Sequence, residues 1–192
     1  MAQISNQLKS EELAYDYMLE QYKRSEIRKM VARLESSPVT VPGGVPREYL
    51  SVRDEAMHPL GIGTTHDMRS VLTGVFLSTL QFRQYTMAEK VNLWRGKFNA
   101  GVSSLWDEII ATDLTRRVTA IGIPVYFFHG IFDYTVSYQE AKHYFEHLQA
   151  PLKGFYTFAS SAHSPLFEEP EKTIKILRED VLRGANGLAE IK

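Results

Sequence analysis

Apolar positions recur at helical spacing through the first two thirds of the chain. Leu13, Tyr17, Met18, Tyr22, Ile27, Met30, Val31 and Leu34 follow this period through about residue 35. Ser10 is expected to cap that helix, because Glu11 and Glu12 would then lie in its first turn, where negative charge suits the helix dipole. The string SSPVTVPGGVP, residues 36–46, carries three prolines and a Gly-Gly pair and predicts a loop. A short helix is expected from Arg47 to Met57, followed by a turn at LGIGTT. A helix opened by Asp67 then presents Leu72, Val75, Phe76 and Leu80 along one face. Further helices are expected over Ala88–Phe98 and Ser103–Ile110, with Trp94, Phe98 and Trp106 as core anchors.

The pattern changes near residue 113. Asp113 can cap a short helix, LTRRVTA, that ends at Gly122. IPVYFFH, residues 123–129, is a short run of aromatic and β-branched residues, and its length favours a buried strand over a helix. Ser137 can cap an amphipathic helix reaching Leu148. GFYTFA, residues 154–159, predicts a second strand, and a final helix is expected from Glu168 to Arg183. Strand, loop, helix, strand, loop, helix is the rhythm of a parallel sheet with crossover helices. The expected fold class is therefore α/β. A mostly helical region, 1–118, is followed by a βαβα segment, 119–192, which alone forms an incomplete parallel sheet.

Charge and composition narrow the partners. The 192 residues include 22 basic and 23 acidic side chains, a formal net charge of −1, with no basic cluster. Nucleic acid is therefore not an expected partner. Cysteine is absent, which removes disulfides and thiolate metal sites. There is no apolar run of about 18 residues and no signal-peptide pattern at the start, so no membrane association is expected and the expected location is cytoplasmic.

Two residues stand where an open parallel sheet gathers its chemistry, beyond the carboxyl ends of the strands. Asp133 lies four residues after His129, in the loop after the first strand, and His163 lies four residues after Ala159, in the loop after the second. Parallel pairing would bring the two loop tips together. A carboxylate bonded to one imidazole nitrogen fixes the tautomer, leaving the other nitrogen free to take a proton from a nucleophile.

IPVYFFHGIFDYTVS resembles the strand-then-Gly-x-x-Asp segment of the α/β-hydrolase superfamily, with Gly130 opening the loop and Asp133 as the acid. SSAHSPLFEEPEKTIKIL resembles that family's histidine loop and last helix, with His163 as the base. The acid-before-histidine order agrees with the family's chain order. Residues 10–118 are similar to the helical cap, or lid, of proline-iminopeptidase-like members, and SEELAYDYMLEQ to the opening helix of such a lid. The resemblance implies a serine hydrolase of ester or amide bonds, with a small-molecule or peptide substrate and no cofactor or metal.

The family's Gly-x-Ser-x-Gly elbow has no counterpart here. The nearest string, GVSSL, has Gly101 and Ser103 in order, but Leu105 replaces the second glycine and no strand precedes it. Ser160, Ser161 and Ser164 flank the histidine in a loop that cannot also form the elbow. No nucleophile is therefore assigned. The expectation is a truncated hydrolase, missing its first strands and part of the oxyanion hole, and inactive alone. The alternative is a non-catalytic binding or oligomerising module, or the C-terminal half of a split enzyme. Unpaired strand edges invite pairing, so self-association, or a partner supplying the missing strands, is expected.

The remaining histidines have plainer readings. His143 and His147 are spaced i, i+4, as metal ligands can be, but Tyr144 stands where a zinc motif needs Glu, so a solvated helix face is expected. His129 should shape the loop or line the site, and His58 and His66 carry no signal alone. The Leu72–Leu80 stripe reads as core. Glu168, Glu169 and Pro170 read as a solvated helix start.

Overall fold

A computed structural model describes residues 4–40, 45–100 and 105–192, with nothing said of the side chains of residues 47 and 97–100. Phe98 as an anchor, and Gly101 and Ser103 as an elbow, therefore lie outside the described residues.

The chain is a mixed α/β protein. Helix α1 (Gln7–Arg24) is capped by Asn6, whose side chain accepts the Lys9 N–H at 3.0 Å, and not by Ser10. Ser10 lies inside the helix, its hydroxyl donating to the Asn6 carbonyl and accepting the N–H of Ser137. Glu11 does not face solvent either: it is buried against Arg53. The predicted single helix breaks at Glu26, which takes a left-handed φ of 55° before α2 (Arg28–Glu35) begins. Helix α3 (Arg47–Met57) agrees with expectation. Ala14, Met18 and Tyr22, spaced i, i+4 on α1, bury against Leu34 of α2 and Val52, Ala56 and Met57 of α3. The Tyr22 hydroxyl closes this core by donating to the Ala56 carbonyl at 2.9 Å.

Between residues 71 and 111 the structure departs from the expected pattern. The helix after the LGIGTT turn is started by Ser70, whose hydroxyl accepts the Leu72 N–H, and not by Asp67, which is exposed. It passes through a π-helical turn, Leu72–Phe76, into α4 (Leu77–Gln81). Leu72 is 61% exposed and Leu80 39%, so the stripe is not core. Trp94 on α5 (Met87–Ala100) and Trp106 on α6 (Leu105–Ala111) are only partly buried. A helical period shows which positions share a face, not whether another element covers it. No described helix is long and apolar enough to cross a membrane.

Asp113 caps α7 (Leu114–Arg117), accepting the Thr115 N–H at 3.0 Å, but that helix stops short of Gly122. Strands β1 (Val125–Gly130) and β2 (Lys153–Phe158) pair in parallel, from Val125 opposite Lys153 to Gly130 opposite Phe158. Helix α8 (Tyr138–His147), capped by Ser137, connects them and packs Ala141, Tyr144 and Phe145 on Phe127 and Phe155. The opposite face, Phe128, Tyr156 and Phe158, is covered by Ile176 of α10 (Pro170–Glu179). The expected final helix is divided: α9 (Pro165–Glu168) precedes α10, and a 3-10 turn, Val181–Arg183, follows it.

The two sheet edges differ. On the outer edge of β2, Phe155 exchanges both backbone bonds with the C-terminal tail, through Ile191 and Glu190. The Lys153 carbonyl accepts from Asn186, the Thr157 N–H reaches Glu190, and the Thr157 carbonyl accepts from Lys172. That edge is therefore closed to pairing. The described sheet has only these two strands, so no strand pairs with the other edge of β1.

Candidate active site

The turn after β1 is built around the Asp133 carboxylate. Its Oδ1 accepts the N–H groups of Thr135 at 2.9 Å and Val136 at 3.1 Å. Its Oδ2 lies 3.0 Å from Nδ1 of His163 and 3.3 Å from Nε2 of His129. The carboxylate is buried, which alone would raise its pKa. The hydrogen bonds from His129 and His163 outweigh that effect and hold it below its ordinary value.

The partners fix both imidazoles. His129 is fully buried, and its Nε2 is also 2.9 Å from the Val136 carbonyl, which can only accept, so Nε2 bears the proton. His129 Nδ1 is buried with no hydrogen-bond partner among the described residues. For His163, Nδ1 faces the carboxylate and must donate, which leaves the lone pair on Nε2. The His163 side chain is 36% exposed, and its Nε2 has no hydrogen-bond partner among the described residues. The arrangement is a buried acceptor orienting a half-exposed base.

The two loops meet through a glycine. A Cβ on Gly130 would lie 2.2 Å from the carbonyl oxygens of both Ser161 and Ala162. The Ser161 carbonyl also accepts the Phe132 N–H at 3.1 Å, tying the histidine loop to the aspartate loop. Gly130 therefore does more than open a turn: the close approach requires it.

Glu168 and Glu169 are partly buried and bonded to the histidine loop, where the sequence predicts only a solvated helix start. Oε2 of Glu168 accepts from Ala162 N–H at 3.0 Å and Ser164 N–H at 3.3 Å, and its Oε1 accepts from His66 N–H. Glu169 holds Ser160 N–H at 2.9 Å and the Ser161 hydroxyl at 2.8 Å. The acceptors face loop donors left without a strand partner. No local sequence pattern distinguishes this from a helix start.

The helical region reaches the site. Gln7 donates to the Thr135 carbonyl at 2.9 Å, and Tyr17 stacks on Tyr134 with centroids 4.4 Å apart. His66 stacks on Phe132 at 3.9 Å, and the His163 N–H donates to the Gly63 carbonyl. His58 is structural, bonded to the Asp54 carbonyl and Thr64. A cavity of about 230 Å³ opens beside Asp133, between Leu13, Tyr17 and Glu20 of α1 and Ile131, Tyr134 and Tyr138. It is smaller than the roughly 300–1,000 Å³ of sites that enclose drug-sized ligands. His143 and His147 are both exposed on α8, with His147 Nδ1 donating to the His143 carbonyl. Among the described residues, no three His, Asp or Glu side chains cluster as metal ligands would.

No family model matches the sequence, and no solved structure matches it. Over 172 residues, 88% of this chain, the sequence is 27% identical to the probable aminopeptidase YbaC of Bacillus subtilis (strain 168). That stretch covers 52% of YbaC, so the chain spans about half the length of the curated relative it matches.

Proposed function

We propose that this chain carries the acid and base of a serine-hydrolase site of the α/β-hydrolase type, acting on ester or amide bonds. The observation that carries the reading is the buried Asp133 carboxylate 3.0 Å from His163 Nδ1, at the tips of loops following two adjacent parallel strands. Similarity to a probable aminopeptidase favours a peptide-like substrate. In this reading His163 Nε2 takes the proton of an attacking serine and returns it to the leaving group. Asp133 holds the tautomer and stabilises the imidazolium. The helical region is read as the lid, and its cavity beside Asp133 as part of the approach to the site.

The mechanism needs a serine opposite His163 Nε2, and we propose that it is not one of this chain's own serines. Assays with p-nitrophenyl acetate and proline p-nitroanilide are expected to show no turnover by the 192-residue chain. Turnover abolished by His163→Ala would instead redirect the search to Ser103. The positive test starts from the DNA immediately upstream. If it encodes a strand followed by Gly-x-Ser-x-Gly, the joined product is expected to hydrolyse one of these substrates. It should also label with a fluorophosphonate at that serine. Activity that survives His163→Ala in the joined product would overturn the proposal.

A second reading, a module that associates through its sheet, is favoured by one observation. The tail closes the outer edge of β2, whereas no described strand pairs with the other edge of β1. Size-exclusion chromatography with light scattering is expected to give a mass above the 21.9 kDa of one chain, through self-association or a bound partner. A stable monomer would count against it.

A further inference from the structure

We propose that Glu168 is a positioning residue for His163, setting the ring's place opposite Asp133 through the backbone on both sides of it. This rests on reading His163 as the base. The loop between β2 and α9 has no ladder to hold it, yet the three successive N–H groups at its tip are all bonded. Those of Ala162 and Ser164 go to one oxygen of Glu168, and that of His163 goes to the Gly63 carbonyl. The other Glu168 oxygen takes the His66 N–H. One carboxylate thus fastens the residues on either side of His163 and also the turn that carries Gly63.

The second connection gives the contact its consequence. The 61–66 turn reaches both loops of the site: its Gly63 accepts from His163, and the His66 ring stacks on Phe132, next to Asp133 in sequence. With Glu168 in place, His loop, turn and Asp loop form a closed ring of contacts, and the 3.0 Å separation of Nδ1 and Oδ2 is set by that ring. Without it, Ala162 and Ser164 have no acceptor. The segment at His163 is then held by its bond to Asp133, one long backbone bond to Gly63 and, further back in the loop, the Ser161–Phe132 bond. Glu169 holds the earlier part of the same loop, Ser160 and Ser161, and does not touch the neighbours of His163. It therefore serves as an internal control.

The test is NMR on the whole chain, with no need for turnover. In the native protein, His163 Nδ1–H should give a downfield proton resonance that Asp133→Asn removes. Glu168→Ala is expected to broaden or shift that resonance. Amide exchange at His66, Ala162 and Ser164 should speed up by about tenfold or more, the effect of losing a charge-assisted bond worth about 1.4 kcal/mol or more. Glu168→Gln, which keeps the shape but replaces one acceptor oxygen with a donor, should fall between native and alanine and covers the case in which alanine does not fold. Glu169→Ala should speed exchange at Ser160 and leave the His163 resonance in place. Folded Glu168→Gln protein, with or without a folded alanine variant, showing a native His163 resonance and native exchange would overturn the proposal. If the shifts occur but the joined product described above has no hydrolase activity, the positioning role stands and the reading of His163 as a base falls.

Discussion

Gly130→Ala is expected to cost about 3 kcal/mol or more and to separate His163 from Asp133. Overpacking a filled site costs roughly 1–3 kcal/mol when side chains can shift aside. Here the new methyl would meet the Ser161 and Ala162 carbonyl oxygens at 2.2 Å and the Ser161 carbonyl carbon at 2.5 Å, all of them backbone. Relief requires the histidine loop to lift away from the end of β1. That movement stretches the bond from Phe132 to Ser161 and carries His163 away from the carboxylate. Urea denaturation followed by circular dichroism would measure the cost, and the His163 Nδ1–H resonance would report the separation. Gly122→Ala is the matched control: no atom lies within 4 Å of its added methyl, so its stability should stay within about 0.5 kcal/mol of native. A Gly130→Ala protein with a native midpoint would mean that the two loops do not approach this closely.

The parts of the fold that sequence makes legible are those decided locally. Ser137 and Asp113 each precede a helix as polar residues able to accept from its first turn, and both do so. The strands are short apolar runs, and their observed bounds differ from the expected ones by one or two residues at each end. Asp133 and His163 could be placed because strand order and loop position suffice to bring them together. Tertiary contacts decide the rest. Glu11 favours a cap at Ser10 only if it faces water; Arg53, 42 residues away, draws it inside, and Asn6 caps the helix. Glu168 looks like any acidic residue at a helix start until the histidine loop folds back over it. His129 left a usable trace. It shares a strand face with Phe127, two residues earlier, and a polar ring on a buried face requires a partner. Asp133, four residues on, is the nearest carboxylate in sequence, and it shares His129 with the Val136 carbonyl.

Asp133→Asn should weaken the fold at neutral pH and disable the base proposed at His163. The introduced amide oxygen can keep the N–H groups of Thr135 and Val136, which turns its NH₂ toward His163 and His129, both donors. His129 cannot reverse its tautomer without losing the Val136 carbonyl. His163 can, but its lone pair then points at the amide and away from any nucleophile. Leaving the buried His129 donor opposed costs about 1–3 kcal/mol, so a loss of about that size is expected. Wherever turnover can be measured, it should fall on the order of 10⁴-fold, because the tautomer is wrong although the geometry survives. The pH dependence separates this from a packing defect. The folded Asp133 carboxyl titrates below its ordinary value, so its stabilisation is complete above the ordinary range and is lost as pH falls through the depressed value. The gap in urea midpoint between the native protein and the Asp133→Asn variant should therefore narrow as pH falls below about pH 4. There the native side chain also becomes a neutral group, and its advantage over the amide disappears. A gap of the same size at the lowest pH where both proteins fold would mean that the charge on Asp133 is not what holds the two imidazoles.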